Sequence, residues 1–254
     1  MHDASDSRHP IHNRLLSVLP SDEFARLKPY LETASFDAGT MLARSGDAVR
    51  TCFFPNTGMV SLLCVTEQGR SVEAGFVGFE GMIGIPLILG KNEMPYDALV
   101  QAPTEGFTAD AGVVRDLFDR GGVFHDVALR FAYVILKQVS QTCVCNHFHT
   151  IEARLCRWLT VMCERSGNRN LKVTQEFLAH MLGVQRTSIG LIASSLQRTG
   201  CIRYVRGRVE IIDLERLRAS ACDCYRIVRD EYSGFLADEN FPAMSDIRQT
   251  TVTV

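Results

Sequence analysis

Ten glycines punctuate the chain between positions 39 and 106, and then from position 123 to position 148 neither glycine nor proline occurs. Glycines at that density supply the backbone freedom of tight turns, and the segments between them are short and rich in Val, Phe and Ile. Residues 41–43, 51–55, 58–65 and 71–77 are the candidate strands, with Glu67-Gln68-Gly69-Arg70 as a hairpin turn between the last two. An antiparallel β-roll of the double-stranded β-helix or jelly-roll type is the expected result. Ahead of it, residues 12–32 carry apolar residues at helical spacing, with Pro20-Ser21-Asp22 supplying a break and a new helix start. The unpunctuated run after the roll allows one long helix.

Along that helix Asp126, Arg130 and Lys137 fall at spacings of 4 and 7 and share a stripe, while Val127, Ala128, Phe131, Val134, Ile135, Leu136 and Val139 spread around the rest. A helix this apolar needs two partners: its own roll and, as the expected second one, the same helix of another copy. Periodicity alone also allows burial inside a monomer. A second helix follows over residues 150–164, with Ile151, Leu155, Trp158, Leu159 and Met162 on one face and Gly167-Asn168 at its end.

With 254 residues, 46% of them hydrophobic and 22% charged, the chain can bury a sizeable core in one large or two modest domains. No apolar run approaches the ~18 residues of a membrane span, and no secretory signal pattern opens the sequence, so a cytoplasmic location and no membrane partner are expected. Nine cysteines, an odd number, fit reduced thiols better than a disulfide framework. The net charge of −2 is unevenly divided: residues 152–230 hold 14 Lys and Arg against 8 Asp and Glu, net +6, and the remainder is net −8. A basic segment in an acidic chain points to a polyanionic partner.

That segment contains TQEFLAHMLGVQRTSIGLIASSL, residues 174–196, which reads as a helix-turn-helix. Thr174 is suited to cap the first helix, Leu178 and Leu182 to line its inner face, Ala179 to the crossing, Gly183 to a left-handed turn and Val184 to the plug of the angle. Ile189, Ile192, Ala193 and Leu196 form the buried stripe of the second helix. Its outer face then holds Gln185, Arg186, Thr187, Gly190, Leu191, Ser194 and Arg198, with no acid to repel phosphate. Such a face suits a major groove, because Arg can bond a guanine edge bidentately and Gln, Thr and Ser reach bases or phosphates. Two further strands, residues 201–204 and 209–212, flank Val205-Arg206-Gly207-Arg208, a basic turn that reads as a wing with phosphate-neutralising arginines.

In this order of parts the chain resembles the Crp/Fnr family of bacterial transcription regulators over residues 12–230, most closely in IEARLCRWL (151–159), LAHMLGVQRTSIGLIASSLQRTG (178–200) and CIRYVRGRVEIID (201–213). The resemblance implies an α+β chain: a cyclic-nucleotide-binding-like β-roll at 12–122, a dimerisation helix at 123–148, a winged helix-turn-helix domain at 149–230 and a tail at 231–254. It implies a homodimer on palindromic double-stranded DNA with half-sites ~34 Å apart, and RNA polymerase and an unidentified small-molecule effector as further partners. Thr174, Gln185, Arg186, Thr187, Ser188, Leu191, Arg206 and Arg208 are the candidate DNA contacts; by position Arg186 matches the family's guanine-reading arginine and Thr174 a phosphate contact. Thr187 and Leu191 stand where well-known members carry glutamate and arginine, so the preferred DNA sequence should differ.

Cyclic-nucleotide-binding members hold ribose and phosphate with Gly-Glu-Leu and Arg-Ser/Thr-Ala segments. Here residues 81–100 give Gly84-Ile85-Pro86 and Tyr96-Asp97-Ala98, without the glutamate or the arginine, so cAMP binding of the usual kind is not expected and no cofactor is assigned. Cys143-Val-Cys145-Asn-His147-Phe-His149 crowds soft ligands together, yet side chains two apart on a helix diverge. Cys143 with His147 would supply two ligands, and Cys222-Asp-Cys224 is a weak motif by itself. Buried free cysteine usually behaves as a small hydrophobe, so no metal site is assigned. The family's iron–sulfur members use an N-terminal cysteine cluster, whereas none precedes Cys52. His2, His9, His12, His125, His147, His149 and His180 lack useful spacing to Ser, Cys or Asp, so no catalytic residue is expected. The competing reading is a signal-binding module whose winged domain docks a protein.

Overall fold

Short strands need hydrogen-bond partners from elsewhere in the chain, and those between residues 32 and 110 find them in two antiparallel sheets. A computed structural model describes residues 11–236. Helices α1 (Arg14–Ser17) and α2 (Ser21–Leu27) and a 3-10 turn (Lys28–Tyr30) lead into β1 (Glu32–Phe36), β2 (Met41–Ala43), β3 (Thr51–Pro55), β4 (Met59–Val65) and β5 (Ser71–Val77). The one-turn helix α3 (Ile85–Ile88) precedes β6 (Asp97–Ala102) and β7 (Thr104–Asp110). One sheet runs β1-β7-β3 and the other β2-β6-β4-β5, and between them lie Phe54, Val60, Leu62, Ala98 and Val100, all buried. Three of these strands escape the hydrophobic pattern. Half-exposed β1 alternates weakly, while Pro95, Pro103 and Gly106 interrupt the neighbourhood of β6 and β7.

Helix α4 (Ala111–Asp119) turns the chain into the long helix α5 (Val123–Phe148). Phe124, Val127, Ala128, Phe131, Val134 and Ile135 of α5 are buried. Phe131 reaches so close to Gly81 that a Cβ at that position would lie 1.8 Å from its ring, which explains a glycine there. Gln138 Oε1 accepts from the backbone N–H of Phe76 in β5 at 2.8 Å. Leu136, grouped by pattern with the apolar majority, is instead 63% exposed, alongside Tyr133, Val144 and Phe148. Lys137 of the charged stripe pairs with Glu231 rather than standing free in solvent.

The basic half comprises α6 (Ile151–Ser166), β8 (Asn170–Lys172), α7 (Gln175–Leu182), α8 (Arg186–Arg198), β9 (Ile202–Val205), β10 (Arg208–Ile211), α9 (Leu214–Ser220) and α10 (Cys224–Gly234). Its small sheet has the order β8-β10-β9. Helix α10 returns to the roll: the Tyr232 ring stacks on Phe76, and its hydroxyl donates to the Phe76 carbonyl at 2.7 Å. Tyr232 and Phe235 are buried, so residues 231–236 belong to the packed body instead of a tail; residues 237–254 of that expected tail lie outside the described residues. Among the described residues no helix is long and apolar enough to cross a membrane.

The winged half seats on the roll through buried polar contacts. Trp158 Nε1 donates to the Glu73 carboxylate at 3.3 Å, and Gln101 Nε2 to Met181 Sδ at 3.0 Å. Arg165 pairs with buried Glu80 while its guanidinium lies 5.2, 5.5 and 5.3 Å from the Phe76, Phe79 and Tyr232 rings. Removing one partner of a buried ion pair leaves an uncompensated charge, which costs about 3–5 kcal/mol. Arg165→Ala is therefore expected to lose about that much stability in denaturant unfolding, and a double Arg165→Met/Glu80→Gln variant to recover most of it.

Candidate nucleic-acid interface

Thr174 sits in extended backbone at the start of α7, and its Oγ1 accepts from the Phe177 N–H at 3.1 Å, the capping bond its position predicts. At the other end Gly183 adopts φ 61°, and its N–H closes on the carbonyls of Ala179 and His180. A Cβ on Gly183 would also stand 3.2 Å from Val72 of the roll, so backbone geometry and domain contact both favour glycine. Leu178, Ala179 and Leu182 of α7 and Ile189, Ala193 and Leu196 of α8 are buried where the helices cross; Val184 and Ile192 are half-buried beside them.

The opposite face of α8 is free of the subunit. Gln185, Arg186, Thr187 and Leu191 are exposed, Leu191 by 75%, and Ser188 is half-buried. Ser194 is exposed too, but its hydroxyl is turned back onto the Gly190 carbonyl at 2.8 Å. The first turn of α8 has no acidic residue. Glu176 of α7 comes within 3.9 Å of Arg186, but both side chains are about two-thirds exposed, so this pair is easily given up.

The wing is tighter than its sequence suggests. Strands β9 and β10 pair Val205 with Arg208, which leaves Arg206-Gly207 as a two-residue turn with φ 47° and 78°. Both residues are left-handed, the signature of the hairpin turn that normally calls for Asn-Gly. Arg208 thus lies at the start of β10, beside Lys172 of β8, rather than at the tip. A groove of about 480 Å³ runs between the wing and the helices, lined by Thr174, Gln175, Glu176, Arg186, Tyr204 and Arg206, with Glu176 as its one acid. Three predicted contacts therefore meet in one groove, and Gln185, Thr187 and Leu191 continue along the exposed helix. Tyr204 and Gln175 carry no signal in the sequence pattern. The Tyr204 hydroxyl donates to the Val173 carbonyl at 3.2 Å and pins the wing to the start of α7, a long-range contact that no local spacing announces.

Two family models match the chain in this order: a cyclic nucleotide-binding domain over residues 33–121 and a Crp-like helix-turn-helix domain over residues 153–220. The chain belongs to the Crp/Fnr family. Solved structures share its fold at low identity. A protein from Eubacterium rectale assigned to the Crp/Fnr transcriptional regulators superposes with a TM-score of 0.67 at 17% identity, covering 81% of this chain and 96% of that one. FixK2 from Bradyrhizobium japonicum gives 0.63 at 12% identity, covering 76% and 98%. The c-di-GMP-responsive regulator CLP of Xanthomonas campestris gives 0.60 at 17%, covering 76% and 100%. No curated protein matches the chain in sequence. As a Crp/Fnr protein it is a DNA-binding transcription regulator with a cyclic-nucleotide-binding-type domain, and not an enzyme.

In this Crp/Fnr chain Gly84-Ile85-Pro86 and Tyr96-Asp97-Ala98 stand in the region of the nucleotide cassette. Its single cation between residues 81 and 100, Lys91, is exposed. Asp97 uses a carboxylate oxygen to accept the Ser45 N–H at 2.8 Å, Met82 is fully buried, and the buried Tyr96 hydroxyl has no hydrogen-bond partner. The soft ligands pair differently from the sequence reading as well. Cys143 and His147 are exposed, whereas Cys145 and His149, the other pair spaced by four, converge with Cys222 and Cys224.

Arginine at the left-handed Arg206 costs about 1–2 kcal/mol that glycine would avoid. Arg206→Gly is expected to leave the melting temperature unchanged or raised, while weakening duplex binding in a fluorescence anisotropy titration.

Proposed function

We propose that the chain is a sequence-specific regulator that binds palindromic DNA as a homodimer, placing α8 in the major groove and the wing on the flanking backbone. The observation that carries this reading is the groove shared by Thr174, Arg186, Tyr204 and Arg206, next to a helix face that is exposed and free of acid. Arg186 reads a base edge, Gln185, Thr187 and Ser188 supply further polar contacts, and Leu191 offers its methyls to a thymine. Thr174, Arg206 and Arg208 hold phosphates and set register. A domain that docked a protein would not need this alignment of cations with two helix starts.

Dimerisation is supported by the outer side of α5. Tyr133, Leu136, Val144 and Phe148 are 54, 63, 43 and 73% exposed and recur along one side of the helix, a seam that a matching helix would cover. Two copies joined there present two recognition helices to the two halves of a palindrome. The β-roll takes no cAMP in this reading, since Gly84-Ile85-Pro86 and Tyr96-Asp97-Ala98 lack the glutamate and arginine of the usual cassette; the signal it passes to the long helices is of another chemistry.

Arg186→Ala is expected to cost about 1–3 kcal/mol and relax preference at one base pair, whereas Arg208→Ala weakens all sequences alike and lowers the salt slope by about one. Binding measured against a selected site and its single-base variants, at several salt concentrations, separates the two. Equal losses on every sequence for Arg186→Ala would remove the base-reading role. Leu136→Asp should convert the dimer to a monomer in analytical ultracentrifugation and abolish tight binding to a full palindrome.

A further inference from the structure

Three thiols in this molecule are buried without behaving as hydrophobes. A buried cysteine in that role faces methyl groups and rings. Cys145, Cys222 and Cys224 stand apart from the main core in a small cluster of their own, with half-buried Ala153 alongside. They face one another and an imidazole. Cys145 Sγ lies 3.5 Å from Cys222 Sγ, Cys224 Sγ lies 3.4 Å from His149 Nδ1, and all four ligand atoms fall within 4.8 Å of one another.

Those separations match a tetrahedron around one small ion. With zinc–sulfur bonds of about 2.3 Å, the edges of such a tetrahedron measure roughly 3.8 Å. An iron–sulfur cluster would spread its thiolates further apart. The surroundings are those of a ligand set as well. His149 turns Nδ1 to the sulfurs while Nε2 sits 3.2 Å from the Asp223 carboxylate, the arrangement that orients a metal-bound imidazole. Gln141 Nε2 donates to Cys224 Sγ at 3.1 Å. Half-buried Arg157, whose Nε has no hydrogen-bond partner, places positive charge near Cys145 and Cys222, which suits three thiolates and a dication with a net charge of −1.

The placement gives the set a purpose. Cys145 is in the last turn of α5, and His149 is its C-cap, where the chain leaves the helix in extended backbone. Cys222 follows α9, and Cys224 opens α10, the helix that returns to the roll. The two ligand pairs thus bracket the whole winged domain. We propose that Cys145, His149, Cys222 and Cys224 form a tetrahedral Cys3His site for a thiophilic divalent cation of the zinc type, clamping the joint between the long helix and the DNA-binding domain. On binding, each of the three thiols releases its proton to solvent and gives a sulfur lone pair to the metal, with no change of oxidation state.

The test uses the full chain purified under reducing conditions. Elemental analysis is expected to find one zinc per chain. Cobalt(II) titrated into the metal-free protein should give the intense visible bands of tetrahedral thiolate coordination, and chelation should expose three more thiols per chain to a thiol reagent. Asp223→Asn should weaken cobalt binding by about 10–100-fold, Cys145→Ser by more, and Cys143→Ser on the exposed side of the same helix not at all. The wild-type cobalt spectrum keeps the test valid should Cys145→Ser fail to fold. Sub-stoichiometric zinc with only the pale spectrum of six-coordinate cobalt would overturn the proposal. So would a Cys145–Cys222 disulfide in protein isolated without oxygen, iron with acid-labile sulfide, or an equal loss of cobalt affinity in Cys143→Ser.

Discussion

The position of the DNA-binding surface depends on two buried carboxylates of the roll. Glu73 and Glu80 are almost wholly removed from water, and an unpartnered charge there would cost several kcal/mol. Trp158 and Arg165, both from α6, answer them. Burial pushes the Glu73 carboxyl above the ordinary range, against the opposing pull of Ser61, Arg157 and Trp158. Because these partners are directional, α6 has few alternative seats on the roll, and α6 carries the scaffold on which α7, α8 and the wing are built. A purely apolar contact would allow the winged half to slide; hydrogen bonds and an ion pair under three aromatic rings do not. Any signal that moves the winged half must therefore exchange these contacts for others of similar strength.

The same economy of contacts shapes α5. One side is consumed by the roll, where Phe131 fills the space over Gly81. A second faces α10, where Lys137 meets Glu231. The outer side carries the exposed Tyr133, Leu136, Val144 and Phe148. Lys137, four residues after Tyr133, lies on this same outer side, so its pairing with Glu231 of α10 takes up a charge that would otherwise stand among the exposed apolar residues. Helix α10 consequently belongs to the architecture of the β-roll half as much as to the winged half.

How much of this was written locally explains what the sequence could disclose. The helix-turn-helix is a set of steric demands within two dozen residues, so Thr174, Ala179, Gly183 and Ile189 announce it without tertiary knowledge. Strands β3 to β5 and the uninterrupted α5 are legible for the same reason. Strands β1, β6 and β7 were not, because their burial is decided by partners far along the chain: β7 pairs with both β1 and β3. The wing is legible in the sequence, but its turn is one residue shorter at each side than the pattern indicates, since Arg206 takes a backbone conformation that composition does not favour. Tyr204 carries no local signal because its partner is the Val173 carbonyl, 31 residues away.

The soft ligands show where local reading fails in kind rather than degree. Helical spacing offers two equivalent pairs in residues 143–149, and nothing nearby chooses between them. The choice is made by rotation: the face of α5 that carries Cys143 and His147 opens to solvent, whereas the face that carries Cys145 turns inward toward Cys222, 77 residues on. Cys222-Asp-Cys224, weak as a motif, gains its meaning only because α10 starts there and must fold back along α5. Since the segment between the two pairs is the winged domain itself, whatever joins the four ligands fixes where that domain begins and ends. The joint and the buried carboxylates then constrain α6 from opposite ends, and the recognition helix inherits its direction from both.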